Sequence, residues 1–265
     1  MIPELYQIGV VRSAPDEPNT MPIGGTNAII EIDPKYERAL LRIAEHSHLW
    51  IITWFHKAER DKFSVVPARI NPDLPEYGVF GIRAYVRPNP IGLSRVKLER
   101  VEGTTLHVSG CDAIDGTPVL DIKSYYEGDC VFSPRAPYIR PASREMRWTL
   151  MLEQAVNHHQ EVCEHLMAAT RMALAAEEIV GMLSAPELVV RVSGPLCMAD
   201  AIQGITRARL ANPRRLYFSE GDGPAVTVWE TPTQRVTITD RQSGLPYGLD
   251  MPDADLFLVE TETRG

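Results

Sequence analysis

The chain has 265 residues, is 44% hydrophobic and 23% charged, and carries a formal net charge of -8. That length allows one large domain or two modest ones, two being the better expectation. No apolar run approaches the roughly 20 residues that span a bilayer, and the acidic total argues against a uniformly basic nucleic-acid surface while leaving room for a local basic patch.

The chain opens MIPELYQIGVV, without a basic stretch or a cleavage site, so no secretion signal is expected. Short apolar runs separated by turn residues follow. They predict strands at residues 6–12, 27–32, 49–55, 78–82, 94–101, 105–109 and 118–123. In SRVKLERV, Val96, Leu98 and Val101 interleave with charge, the period of a half-buried strand. A short helix is expected over 34–44, with Asp33 as its N-cap and Pro34 at its first position. Many short strands with Pro- and Gly-rich turns suggest a closed or nearly closed sheet, a small β-barrel.

Residues 126–143 hold Pro134, Pro137 and Pro141 and read as a linker. A long helical segment is predicted over 144–183. Its stripe of Val162, Leu166, Ala169, Ala173, Ala176, Val180 and Leu183 suits close packing on a sheet, with a dimer seam as the alternative. Beyond it come a strand at 187–193, a helix at 199–207, and strands at 215–218, 225–229, 235–239 and 256–260. The expected architecture is therefore mixed: a β-barrel domain over 1–130 and an α+β domain with a long helix over 144–265. Cys111, Cys130, Cys163 and Cys197 are too thinly spread for a disulfide scaffold, so a reducing, cytoplasmic location is expected.

Three segments of the first half carry chemistry. In SHLWIITWFHKAERD an apolar strand ends in His56 and Lys57, either a solvated strand end or the rim of a site. In GVFGIRAYVRPNPIGLSRV, Arg83 and Arg87 flank a stiff turn. Pro88 and Pro90 fix backbone angles there, and Gly92 permits a close approach. Two guanidinium groups on a rigid loop suit a carboxylate or a phosphate. In CDAIDGTPVLDIKSY, Asp115, Gly116, Thr117 and Pro118 form a turn whose amides and carboxylate could hold a polar small molecule, although an ordinary hairpin turn has the same sequence.

In order and spacing these segments, with IGVVRS before them, resemble the TsaA-like (TrmO, YaeB) family over about residues 6–126. The resemblance implies a small β-barrel methyltransferase that uses S-adenosylmethionine, is usually a homodimer, and whose best-known member methylates N6 of threonylcarbamoyladenosine-37 in transfer RNA. It implies cofactor contacts at His56, Lys57, Arg83, Leu93, Asp115, Gly116, Thr117 and Pro118. Arg87 and Asn89 lie in the most distinctive motif, on the cofactor or acceptor side. A weakly nucleophilic amide-like nitrogen calls for a base, and Asp115 and His56 are the candidates. The chain departs from the family's Pro-x-Gln element: Pro22 matches the proline, but Gly24 stands where glutamine is expected.

In the second half, ANPRRLY echoes only partly the DPRPAY-like motif of transfer-RNA-modifying members. Residues 161–230 resemble instead the FmdE-like domain, named for a formylmethanofuran dehydrogenase subunit, which implies a metal such as zinc. Cys197 and Asp200-Ala201-Ile202-Gln203 match one of its motifs and His165 one histidine of another; Cys163 stands where a second histidine belongs, and Met167 and Ala208 replace cysteines. From the residues themselves, His159 and Cys163 lie four apart on the predicted helix, with His165 or Cys197 to complete a site. The alternative is a decayed site with Cys197 as a small buried hydrophobe. The expected function is a methyltransferase acting on transfer RNA. A small-molecule acceptor or a non-catalytic cofactor or metal sensor are the alternatives.

Overall fold

In the computed structural model, residues 4–221, 223–241 and 246–264 are described. The chain divides into two compact units, one of residues 1–67 and 75–131 and the other of residues 68–74 and 132–265.

The first unit is a closed antiparallel barrel of six strands: β1 (Gly9–Ser13), β2 (Thr26–Ile32), β3 (His48–Trp54), β6 (Ile91–Glu102), β7 (Thr105–Cys111) and β8 (Pro118–Ser124), in the order β1-β2-β7-β6-β3-β8. A separate two-stranded ribbon, β4 (Ser64–Val65) with β5 (Tyr77–Gly78), stands between β3 and β6 in the chain. Period-two alternation builds the barrel. In β3 every second residue, Leu49, Ile51 and Thr53, is buried; in β6 it is Gly92, Ser94 and Val96. Leu49, Ile51 and Val96 meet Val11, Ile30, Leu106, Val108 and Val119 in one core. Closure leaves no free sheet edge.

Two expectations change here. The apolar run 78–82 is not a strand: only Tyr77–Gly78 pairs, with Ser64–Val65, and the chain then turns. The helix at 34–44 is two 3-10 segments, Pro34–Leu40 and Ile43–Glu45, separated by Arg42 in the left-handed region at φ 67°. Asp33 does cap the first of them, accepting the Lys35 amide at 3.0 Å.

The second unit is a five-stranded sheet with helices. Its order is β10 (Leu216–Ser219), β9 (Val189–Ser193), β11 (Val226–Glu230), β12 (Gln234–Asp240) and β13 (Phe257–Thr263). Only β9 and β10 are parallel, and α3 (Leu196–Thr206) is the crossover that parallel pairing requires. A short helix α4 (Asp253–Leu256) leads into β13. The long helix predicted over 144–183 is two helices, α1 (Arg144–His159) and α2 (Glu164–Val180). Gln160 ends α1 in the left-handed conformation at φ 65°, and Cys163 caps α2, its Sγ accepting the Leu166 amide. Val162, placed first in the apolar stripe, is 64% exposed in the break. Leu166, Ala169, Ala173 and Ala176 are buried, and α2 packs on β11 and β12 as the sheet-packing expectation has it. The small residues let the helix approach closely, around Met172, Trp229 and Ile238.

The predicted linker is only partly free-standing. Tyr138, Arg140 and the carbonyls of Pro141 and Ala142 are bonded within the second unit. All four cysteines are free thiols. Among the described residues no helix is long and apolar enough to cross a membrane.

Candidate functional site

At one end of the barrel the signature segments are tied to one another by backbone bonds. Beyond β3, Phe55 N–H donates to the Pro90 carbonyl at 2.8 Å, and Arg87 N–H donates to Glu59 O at 3.2 Å. Arg60 Nε donates to Pro88 O at 2.8 Å while its guanidinium lies over Trp54. The segment carrying His56 and Lys57 is thus laced to the RPNPIG turn. Lys57 Nζ in turn donates to Asp16 O at 2.8 Å and pairs with Glu17 at 2.6 Å. The loop after β1 joins the DGTP turn: Asp115 N–H donates to Pro15 O at 2.8 Å and Gly116 N–H to Val11 O at 2.9 Å, while Asp115 Oδ1 accepts the Ser13 amide at 3.3 Å. Gly116 has φ 73°, which explains the glycine in that turn.

The roles of the individual residues differ. Arg83 is exposed and makes no hydrogen bond or ion pair among the described residues, so its guanidinium is available to an anion. Arg87 is half-buried and otherwise engaged: Nε donates to Ala84 O at 2.7 Å, and Nη2 to Val79 O at 2.8 Å and Ile82 O at 2.9 Å. It braces the loop that carries Arg83. Asn89 and His56 are exposed, and Leu93 shows 44% of its surface on the outer face of β6. Thr117 is fully buried and its Oγ1 has no hydrogen-bond partner; the same holds for Thr53 at the end of β3. Asp115 also faces a cleft of about 550 Å³ whose wall includes Arg12, Asn27, Glu99 and His107. His56 and Asp115, the two candidate bases, make no hydrogen bond to each other.

Gly92 shows why the RPNPIG turn ends in glycine. A Cβ there would fall 2.3 Å from Thr53 Oγ1 and 2.4 Å from the Phe55 ring. The missing side chain lets β6 lie against β3 where the two signature segments join.

Gly24 occupies the position where the resemblance expects glutamine. It has φ 91°, so the chain uses this point as a left-handed turn before β2.

In the second unit, the break between α1 and α2 gathers a different set. The candidate ligand atoms of His159, Cys163 and Cys197 all lie within 4.8 Å of one another. His159 Nε2 is 3.7 Å from Cys163 Sγ, and its Nδ1 is 2.7 Å from Asp200 Oδ2. His158 Nε2 lies 3.2 Å from the other Asp200 oxygen. The hydrogen bond that His159 makes to the Asp200 carboxylate raises its pKa from the ordinary histidine value. Burial works against the Cys163 thiolate, but the Leu166 amide and His159 outweigh it and hold the thiol below its usual value. His165, also named from the sequence, is exposed on the first turn of α2 and is not in this group. Asp200 is the residue that sequence reasoning missed as a participant; its position three residues after the cysteine of a Cys-x-x-Asp-Ala-Ile-Gln match was the available signal, but nothing there showed that its carboxylate meets α1.

The family model described as the tRNA-methyltransferase O N-terminal domain matches residues 10–129, the barrel. A "Probable S-adenosyl-L-methionine-binding protein" of Archaeoglobus fulgidus is 34% identical over 232 residues, covering 83% of this chain and 63% of the relative. This chain therefore spans somewhat under two thirds of that protein, and the match reaches well into the second unit. A second protein of the same organism, described as "S-adenosyl-L-methionine-binding protein", is 42% identical over 132 residues, 48% of this chain and 93% of its own length. The "tRNA (adenine(37)-N6)-methyltransferase" of Mus musculus is 50% identical over 91 residues, 34% of this chain and 21% of that protein.

Proposed function

Because the chain belongs to the tRNA-methyltransferase O family, we propose that it is an S-adenosylmethionine-dependent methyltransferase whose acceptor is N6 of threonylcarbamoyladenosine-37 in transfer RNA. The observation that carries this reading is the lacing of the three signature segments into one ledge at the barrel end. The first two relatives are named for binding S-adenosylmethionine and the third for methylating adenine 37 of tRNA.

The residues present fit the cofactor. It needs a cation for its carboxylate, polar partners for its adenine and an apolar wall beside the sulfonium. Arg83 offers an uncommitted guanidinium, the Asp115–Pro118 turn offers backbone groups and the orphaned Thr117 hydroxyl, and Leu93 offers exposed apolar surface. When bound, S-adenosylmethionine supplies an electrophilic methyl group. What the chain contributes is alignment, which in a displacement of this kind is worth several kcal/mol. Asp115 and His56 are the groups that would accept the proton from the acceptor nitrogen, Asp115 being the better placed because it lines a cleft and its backbone is fixed. Arg87 and Lys57 hold the ledge through their bonds to backbone carbonyls. The protein would work in the cytoplasm, where transfer RNA is modified, and as a homodimer, the state the family resemblance implies.

The net charge of -8 favours one other reading, a small-molecule acceptor, since a polyanionic RNA gains nothing from the acidic total. The deciding experiment is transfer of labelled methyl groups to bulk transfer RNA from cells that do and do not make threonylcarbamoyladenosine. Label confined to the modified RNA is expected. No label in either RNA, with cofactor binding verified by calorimetry, would remove RNA as the acceptor and leave the small molecule. In the same calorimeter Arg83→Ala is expected to weaken cofactor binding by about tenfold, the scale of one charge-assisted hydrogen bond; unchanged affinity would remove Arg83 from the site.

A further inference from the structure

The geometry points to a second site, in the α+β unit: we propose that His159, Cys163 and Cys197 bind one zinc-type divalent cation, with Asp200 holding His159 in place from outside the metal and one coordination corner left open. The three ligand atoms come from three different elements, the end of α1, the cap of α2 and the first turn of α3, and they converge within 4.8 Å.

Three observations favour a cation over a chance cluster. The first is spacing. Tetrahedral zinc, with bonds of about 2.3 Å to sulfur and about 2.0 Å to nitrogen, sets a sulfur–nitrogen edge of about 3.5 Å and a sulfur–sulfur edge of about 3.8 Å. The Cys163 Sγ to His159 Nε2 separation is 3.7 Å. That is within reach of a hydrogen bond to sulfur and also close to the tetrahedral edge. The second is orientation. His159 Nδ1 is committed to Asp200 at 2.7 Å, which directs Nε2 toward the two sulfurs. Metal-bound histidines are typically held in this way, the second nitrogen on a carboxylate. The third is the backbone. The left-handed residue Gln160 breaks what the apolar stripe would otherwise continue as one helix, and the break brings Cys163 to the start of α2 beside the end of α1.

Charge balances as well. Two thiolates and a neutral imidazole neutralise a divalent cation, so the open corner would take water or one further small ligand. His165 and the exposed Cys130 are outside the cluster. The site lies wholly within the second unit, and its occupancy is measured without reference to methyl transfer, so either proposal can fail alone.

The test uses the full chain purified under reducing conditions. Elemental analysis is expected to give close to one zinc per chain. After chelation, titration with cobalt(II) should give thiolate-to-cobalt charge-transfer absorption saturating at one equivalent. Cys163→Ser and Cys197→Ser should each remove roughly half of that band. Asp200→Asn should leave the stoichiometry and weaken cobalt affinity by about 10- to 100-fold. His165→Ala should change neither, and thermal unfolding of each variant checks that it folds. Wild-type protein with all four thiols reduced and no charge-transfer band at equimolar cobalt would overturn the site.

Discussion

Glu177→Ala is expected to destabilise the second unit by about 3–5 kcal/mol, the range for removing one partner of a buried ion pair. Glu177 lies on α2 with 2% of its side chain exposed. Its carboxylate accepts from Tyr138 Oη, and from Arg140 Nε at 2.6 Å and Nη2 at 3.1 Å. Arg147 Nε lies 3.1 Å from its second oxygen, and that side chain is only 8% exposed. Arg147 further donates to the carbonyls of Pro141 and Ala142. One carboxylate thus fastens the stretch before α1 to the buried face of α2. Alanine would take one of two carboxylates from the buried Arg147, which keeps Glu178 and the two carbonyls, and would leave the Tyr138 hydroxyl to water. Arg140 is 37% exposed and can turn to water, which places the loss toward the lower end. Glutamine keeps the shape and one acceptor and should lose less. The check is urea denaturation followed through Trp229, which is fully buried in this unit. A loss under 0.5 kcal/mol would show that water replaces the carboxylate, contrary to the buried-pair argument (the threshold being about the scatter of surface substitutions).

The second large effect is expected at Gly92. An added methyl would meet Thr53 Oγ1 and the Phe55 ring well inside contact distance. Overpacking of this kind typically costs about 1–3 kcal/mol. Here it also pushes β6 from β3 at the junction of the signature segments, so Gly92→Ala should weaken cofactor binding more than its loss of stability alone explains. Parallel denaturation and calorimetry separate the two. A variant with wild-type affinity and a lowered midpoint would confine the role of Gly92 to packing. Thr53 is itself buried and has no hydrogen-bond partner. A double variant with Thr53→Ala, which removes the hydroxyl that the new methyl meets, should recover part of the stability.

The barrel strands were legible because one face of each is buried and the other is wet, and period two records that directly. Residues 78–82 misled because Val79, Gly81 and Ile82 are apolar or small for another reason. Val79 is buried under a turn whose carbonyls point at Arg87, and its amide makes the last bond of the short ribbon, to Phe63 O, before the chain turns away. The break between α1 and α2 was invisible because Leu166 to Val180 continues a helical period, and a residue such as Gln160 carries no signal that it will turn left-handed. Cys197 and Asp200 lie far from His159 in sequence, so only the packing of α3 on α1 brings them together. His165 was misplaced for a geometric reason: two residues past Cys163, it projects from another side of α2. At the barrel end, the residues of the ledge were legible as motifs, but their division into exposed groups and braces was not. Arg83 and Arg87 have the same side chain, and only the surrounding carbonyls distinguish them.

Those carbonyls bear on the speed of ligand capture. Arg87 closes a ring over residues 79–84, and Glu59 and Pro88 fasten the same turn to the segment after β3. The turn is therefore ordered by the protein's own bonds, and an arriving ligand need not arrange it. Such a site gives association with a single fast phase, and differences among related ligands are expressed in how slowly they leave. Loosening the ring should act the other way. Arg87→Lys keeps the charge but has no planar fork to reach three carbonyls, so arrival should become slow and show a lag as the turn finds its shape, while departure once bound changes little.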